Sequence, residues 1–312
     1  MKILLTYKYD DEKLNKIKEL GYDIVYRHEN TIFNEEEIDN SDILICYNPF
    51  NNLDISKMKN LKLIQLSSIG IDQVPINKVN KDTFVCNNKG GYSVAMGEWI
   101  VCKILEIYKD SKYFYEKKKE KIWKMNTSLE EITDKKIGFL GTGTIAYEAA
   151  KRLKNFDCEI IGLSKSGKQK EYFDKVYNIN NLEKFLKQSD VVISCLPSTS
   201  ETKHILDYSN LSLMKNNSIF INISRGDIIN QNDLIKLLKE DKFKAVALDV
   251  FEKEPLDKNS ELWDLDNVYI SFHNSWISQL RNERRFDLIY KNLKKFKQQK
   301  ELLNVVNLKK GY

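Results

Sequence analysis

Apolar runs of strand length alternate with helical patterns along almost the whole chain, and this alternation limits it to parallel sheets covered on both faces. In the first hundred residues the runs KILLTY, YDIVYR, ILICY, LKLIQLSS and TFVCN are separated by polar helical or turn segments, among them DEKLNKIKEL, closed by Gly21. From Lys135 a second series begins. Its strands are KIGFLG, CEIIGLS, DVVISCL, SIFINIS, AVALDV and VYISFH; its helices are TIAYEAAKRLKNF, NLEKFLKQS, SLMKNN and QNDLIKLLKED. Between the two series one long helix is expected from about Ser93 to Lys119, apolar in its first half and Lys-rich in its second, followed by the polar connector KIWKMNTSLEEITD. The segment after about Asn282 is helical again and can return to the first series. A chain of 312 residues, 42% of them hydrophobic, has core enough for two domains. The expected division is 1–100 with 284–312, and 101–283.

At one point the alternation carries a second signal. The strand ending at Leu140 runs into Gly-Thr-Gly-Thr-Ile-Ala, residues 141–146, and then into a helix. Gly141 permits a sharp turn out of the strand. Gly143 lets backbone approach a pyrophosphate with no side chain between. The amides of Thr144 and Ile145 open the helix, where unpaired N–H groups and the helix dipole favour an anion. Ala146 takes the third position of this dinucleotide fingerprint, where only close strand–helix packing is required. NAD-binding chains often place an acidic residue roughly 20 residues further on, to hold the ribose 2′-hydroxyl. Here the next strand ends at Ser164, followed by Lys165, Ser166 and Lys168, with no carboxylate. Hydroxyls and cations suit a 2′-phosphate, so NADP(H) is favoured over NAD(H).

Composition removes several alternatives. The net charge of +5 is modest, and Lys clusters such as Lys117–Lys119 are mixed with Glu or apolar residues, as on a solvated helix face rather than a nucleic-acid surface. No apolar run reaches the roughly 18 residues that a membrane span requires. The five cysteines are odd in number and form no CxxC pair, so reduced thiols in a cytoplasmic protein are expected, with no metal site. The opening MKILLTYKY reads as a strand rather than a secretory leader.

Three further stretches, INISRGDII (221–229), ALDVFEKEPL (247–256) and ISFHNSW (270–276), place polar groups at or beyond strand ends. Ligands bind there in open α/β sheets. Arg225, Glu254 and His273 come from three consecutive connections and can converge. Only three histidines are present, and His28 and His204 lie in less suitable segments.

Together with SSIGIDQV (67–74), GYSVAMGEWI (91–100), DVVISCLPSTSETKHIL, LWDLDNVYISFH and the closing VVNLKKGY, these motifs resemble, in order and spacing, the D-isomer-specific 2-hydroxyacid dehydrogenases. The resemblance spans almost the whole chain. It implies an α/β fold of two doubly wound parallel-sheet domains, a Rossmann-type cofactor domain and a flavodoxin-like substrate domain, with an intervening cleft. It also implies a homodimer built around the 93–119 helix, and hydride transfer between NAD(P)H and a small 2-oxo acid of the glyoxylate or hydroxypyruvate type. Arg225 matches the arginine that holds the substrate carboxylate and polarises the keto oxygen. His273 matches the acid/base, and Glu254 the acid that orients it and raises its pKa. Ile69 and Gly70 match the amides that grip the carboxylate, and Asp249 the contact to the nicotinamide carboxamide. Pro197 and Thr202 match the adenosine side, Ile223 and Ser224 the nicotinamide side. Trp276 stands where the family often has a small residue, and is expected to line the pocket. The expected alternatives are a phosphoglycerate dehydrogenase-like enzyme, which the lack of a C-terminal extension disfavours, and a corepressor-like dinucleotide sensor.

Overall fold

The computed structural model describes residues 1–308; the last four residues of the VVNLKKGY motif lie outside the described residues. The chain divides into two compact units, Met1–Tyr92 with the segment from Ser278 onward, and Ser93–Ile277.

The first unit holds β1 (Lys2–Leu5), α1 (Asp11–Glu19), β2 (Asp23–Tyr26), α2 (Glu35–Asp39), β3 (Ile43–Cys46), β4 (Leu63–Leu66) and β5 (Phe84–Cys86). All pairings are parallel, in the order β2-β1-β3-β4-β5. This is the flavodoxin-like order. Strand periodicity divides the apolar residues between two cores. Leu4, Leu44, Cys46, Ile64 and Leu66 face Leu53, Ile55, Met58 and Val74 on one side. Ile3, Leu5, Ile43, Ile45 and Leu63 face Ile17 of α1 and Phe286, Ile289 and Leu293 on the other. The last three belong to the final helix of the chain, α9 (Arg281–Lys297). Beyond it Val305 bridges Cys86 in antiparallel fashion. Gln65, wholly buried on β4, is matched by Asn292 of α9, whose Nδ2 donates to Gln65 Oε1 at 2.8 Å.

The second unit opens with α3 (Ser93–Tyr108) and α4 (Ser111–Glu120). The single helix expected over 93–119 is therefore two. Asp110 adopts left-handed φ (44°) and then caps α4 by accepting from the Tyr113 amide. There follow β6 (Lys136–Leu140), α5 (Thr144–Leu153), β7 (Glu159–Ser164), β8 (Lys175–Asn178), α6 (Leu182–Gln188), β9 (Val191–Ser194), α7 (Tyr208–Ser212), β10 (Ser218–Asn222), α8 (Gln231–Lys239), β11 (Phe243–Leu248) and β12 (Val268–Ile270). The seven parallel strands lie in the order β12-β11-β10-β9-β6-β7-β8. Counted from β6 this is the Rossmann order with one further strand. The reversal falls between β6 and β9. Two local readings differ from the sequence expectation. The edge strand β8 was missed because KVYN carries only two adjacent apolar residues. The helix expected at SLMKNN sits upstream instead, where Asp207 caps it by accepting from the Asn210 amide at 2.9 Å. Among the described residues no helix is long and apolar enough to cross a membrane.

Candidate active site

The glycine turn lies at the point where strand order reverses. Gly141 has φ +95°, and a Cβ there would stand 2.8 Å from the Cys195 carbonyl of the loop after β9. Only glycine satisfies both conditions. At Gly143 a Cβ would meet nothing within 4 Å, so the backbone faces open space. No side chain caps α5, and the Thr144 and Ile145 amides open its first turn without an intrahelical acceptor. Ala146 is fully buried. An open approach, uncapped amides and a helix N-terminus together fit a dinucleotide pyrophosphate.

The turn after β7 is more committed than the sequence suggests. Ser164 Oγ accepts from the Gly167 amide at 3.1 Å, and Lys165 Nζ forms two contacts with Glu201, at 2.9 and 2.7 Å. A carboxylate therefore does stand at this strand end, delivered from the neighbouring loop rather than from the strand itself. In that loop the Thr202 hydroxyl donates to the Pro197 carbonyl at 2.6 Å and accepts from the Thr199 amide at 2.9 Å, so it holds the loop's shape. Ile223 and Ser224 are buried at the end of β10, where the Ser224 and Ser194 hydroxyls share a hydrogen bond of 2.8 Å.

Beyond β10, β11 and β12 the loops interlock. Arg225 follows β10, half-buried, with Nη1 donating to the Ser224 carbonyl at 2.8 Å. The next residue, Gly226, lies so close to the Phe251–Glu252 backbone that a Cβ would come within 1.8 Å of the Phe251 carbonyl carbon. The amide of Phe251 donates to Glu254 Oε1 at 3.0 Å, and the other carboxylate oxygen, Oε2, meets His273 Nδ1 at 2.8 Å. A carboxylate only accepts, so Nδ1 carries the hydrogen and the pair fixes the ring, leaving Nε2 for a reacting group. Arg225, Glu254 and His273 thus belong to one continuous loop cluster.

Asp249 is wholly buried beneath this cluster. Its Oδ1 accepts from Ser271 Oγ (2.5 Å) and from the amides of Asn274 (2.7 Å) and Ser275 (3.1 Å). Its Oδ2 accepts from the Ser275 amide (3.1 Å) and Oγ (2.5 Å), while its carbonyl accepts from the His273 amide at 2.7 Å. The observed partners of this side chain are thus the histidine loop itself. His273 has left-handed φ (51°), a strained conformation that these bonds hold. The Trp276 indole donates to the His273 carbonyl at 2.8 Å, which ties the ring to the same loop. The other histidine of this unit, His204, meets Glu252 at 2.7 Å. Among the described residues no group of His, Cys, Asp and Glu could hold a metal ion. The roles of Gly226, Glu201 and the two serines around His273 were missed from sequence. The Arg-Gly dipeptide was the one available signal.

In the first unit, the loop after β4 carries Ile69 and Gly70. The Ile69 carbonyl accepts from Asn87 Nδ2 at 2.8 Å and the Gly70 carbonyl from Ser68 Oγ at 2.8 Å. Their amides have no acceptor among the described residues.

Comparison with known proteins identifies the family. Residues 101–275 match the profile of the D-isomer specific 2-hydroxyacid dehydrogenase NAD-binding domain. The chain is 38% identical over 167 residues to a glyoxylate reductase of Pyrococcus horikoshii, a match covering 54% of this chain and 50% of that relative. It therefore spans about half the length of that protein. Against a glyoxylate reductase of Thermococcus litoralis it is 32% identical over 256 residues, 79% of this chain and 77% of that one. A solved D-isomer specific 2-hydroxyacid dehydrogenase family protein from Aeromonas salmonicida superimposes with a TM-score of 0.84 at 27% identity, covering 98% and 99% of the two chains. The chain belongs to the D-isomer specific 2-hydroxyacid dehydrogenase family.

Proposed function

We propose that this protein reduces a small 2-oxo acid, of the glyoxylate or hydroxypyruvate type, to the D-2-hydroxy acid. The observation that carries the reading is the His273–Glu254 pair in the same loop cluster as Arg225. The cofactor, NAD(P)H, supplies a hydride when bound, and Gly141, Gly143, Thr144 and Ile145 are the residues that would hold its pyrophosphate. Arg225 presents a planar fork suited to a carboxylate and an adjacent keto oxygen. Protonated His273 donates from Nε2 to the keto oxygen as it gains negative charge, and Glu254 steadies the imidazolium through Nδ1. The same groups run in reverse when the hydroxy acid is oxidised. Asp249 acts through the loop it holds. The Ile69 and Gly70 amides are the first unit's donors for a substrate carboxylate. Glyoxylate reductases among the relatives support the choice of acid.

NADP(H) remains the preferred cofactor in this reading. The Lys165–Glu201 pair is exposed on both sides. Such a pair is worth about 0–1 kcal/mol, so a doubly charged 2′-phosphate displaces Glu201 readily. A homodimer is supported by the apolar side chains shown to solvent along residues 114–125. Tyr115 is 65% exposed, Met125 80% and Trp123 100%. The five free cysteines suit a reducing compartment.

The test is absorbance at 340 nm with each reduced cofactor against glyoxylate, hydroxypyruvate, pyruvate and phosphohydroxypyruvate. Oxidation of NADPH by glyoxylate or hydroxypyruvate, faster than of NADH, is expected. Cofactor binding without turnover of any 2-oxo acid would mark a dinucleotide sensor instead.

A further inference from the structure

Two consecutive residues after β5 hold the loop after β4. The Ser68 carbonyl accepts from the Asn88 amide at 2.7 Å, and the Ile69 carbonyl accepts from Asn87 Nδ2 at 2.8 Å. Along a strand successive carbonyls alternate in direction. Here two in a row face the same segment. A trans peptide sets its N–H antiparallel to its carbonyl. The Ile69 amide shares a peptide unit with the Ser68 carbonyl, and the Gly70 amide shares one with the Ile69 carbonyl. Both N–H groups therefore point away from residues 87–88, and neither has an acceptor among the described residues. Adjacent amides turned to one side make a concavity that takes an anion. Residues 68–70 are only half-buried.

The two holders differ in kind. Asn88 uses its backbone amide, which any residue except proline supplies. Asn87 uses its side chain. Its Oδ1 accepts from the Lys89 amide at 3.2 Å while Nδ2 donates to Ile69, so the position requires a side chain that both accepts and donates. Asn87 is buried, and its backbone is fixed as well. The Asn87 amide donates to the Asn304 carbonyl at 3.2 Å, and Asn304 Nδ2 donates to the Lys89 carbonyl at 2.8 Å. The segment that follows α9 thus clamps residues 87–89, and Asn87 passes that fixed position on to the Ile69–Gly70 peptide. On the other side of the loop, Ser68 Oγ accepts from Gln73 Nε2 at 2.9 Å and donates to the Gly70 carbonyl at 2.8 Å.

We propose that Asn87 is a positioning residue for substrate: by holding the Ile69 carbonyl it aims the Gly70 N–H, beside that of Ile69, at the carboxylate of the 2-oxo acid. This rests on the reduction proposed above. Asn87 touches no reacting atom in this assignment. Its loss turns the peptide and weakens the grip on the carboxylate, so the effect falls on KM rather than on the hydride and proton steps. Aspartate is the sharpest replacement, because an ionised carboxylate cannot donate and sets an oxygen against the Ile69 carbonyl. Alanine removes the donor without that repulsion.

The experiment measures kcat and KM for glyoxylate and hydroxypyruvate in the native protein, Asn87→Ala and Asn87→Asp, together with the Kd of NADPH by fluorescence. KM is expected to rise about 10-fold in Asn87→Ala and about 30-fold in Asn87→Asp, with kcat within about threefold and the Kd within about twofold of native. Asn87→Ala carries the test if Asn87→Asp does not fold. An unchanged KM overturns the proposal. So does a fall in kcat with a matching rise in the NADPH Kd, which marks general loosening. A second readout is independent of turnover. In protein labelled with ¹⁵N-glycine, the Gly70 amide signal, assigned by its loss in Gly70→Ala, should shift when oxamate is added to the NADPH complex. Oxamate carries a carboxylate beside a carbonyl that hydride does not reduce. The shift should be lost in the Asn87 variants. A Gly70 signal that ignores oxamate in the native protein, or responds equally in the variants, overturns the assignment. A native protein that reduces no 2-oxo acid overturns the reduction instead, and the Gly70 response then decides the role of Asn87 by itself.

Discussion

His273 is held on three sides: Glu254 on its ring, Asp249 on its amide and Trp276 on its carbonyl. In the proposed mechanism, replacing it with alanine removes the proton donor. His273→Ala should cut turnover by roughly 100-fold or more, while fluorescence titration shows cofactor affinity nearly unchanged. Asp249 is a different kind of residue. Asparagine there offers one acceptor where two oxygens now take five hydrogen bonds, and its own N–H₂ faces donors. Asp249→Asn should lose about 2–3 kcal/mol in urea denaturation and roughly 10- to 100-fold in kcat by loosening the histidine loop. An unchanged urea midpoint would show that the carboxylate does not hold the loop. Arg225, Glu254 and His273 could be singled out from sequence because each follows an apolar strand, and a strand's end is readable from its pattern. The partners of Asp249 could not be read, because Ser271 and Ser275 become donors only when two loops meet.

At the scale of elements, the β6–α5 turn separates two uses of glycine. Gly141→Ala forces left-handed φ on a side chain that would also press on Cys195, and should cost about 1–3 kcal/mol of stability. Gly143→Ala meets nothing and should fold with stability within about 0.5 kcal/mol of native. In the proposed binding mode its methyl group stands where the pyrophosphate would approach, so the Kd for NADPH should rise roughly tenfold or more. Normal cofactor affinity in Gly143→Ala would remove the turn from the binding site. The connector before β6 is tied down differently. Glu130 meets Lys135 at 2.6 Å and Lys244 at 2.7 Å. Burial alone would raise its carboxyl, but the two lysines outweigh that and leave it below the usual range. Its stabilisation is therefore present above the ordinary carboxylate pKa and is lost as pH falls through the lowered value in the folded state. Glu130→Gln should lower Tm by about 2–4 °C at neutral pH, a difference that closes as pH falls through the lowered carboxyl value. A gap that persists in acid would show that charge is not its cause. The break at Asp110 was hidden in the sequence because the helical pattern continues across it. The left-handed residue shows only in the backbone, together with the Asn126 Nδ2 that donates to Asp110 Oδ2 at 2.8 Å.

For the molecule as a whole, the strand–helix alternation made both parallel sheets legible, since a strand buried on two faces is apolar throughout. The edge strand β8 has solvent on one side, and its pattern faded accordingly. The bare indole of Trp123 bears on assembly. Light scattering should give a dimer mass for the native chain, and Trp123→Glu should shift it toward the monomer at micromolar concentration. A native monomer would end the dimer reading. The α9 helix has a consequence for how the chain comes into being. Ser93–Ile277 is contiguous and can complete its core while still attached to the ribosome. The earlier-made strands of residues 1–92 lack one face of their core until Phe286, Ile289 and Leu293 have been synthesised. Birth order and folding order therefore run in opposite directions, and the nascent N-terminal segment is the part of this protein most in need of a chaperone.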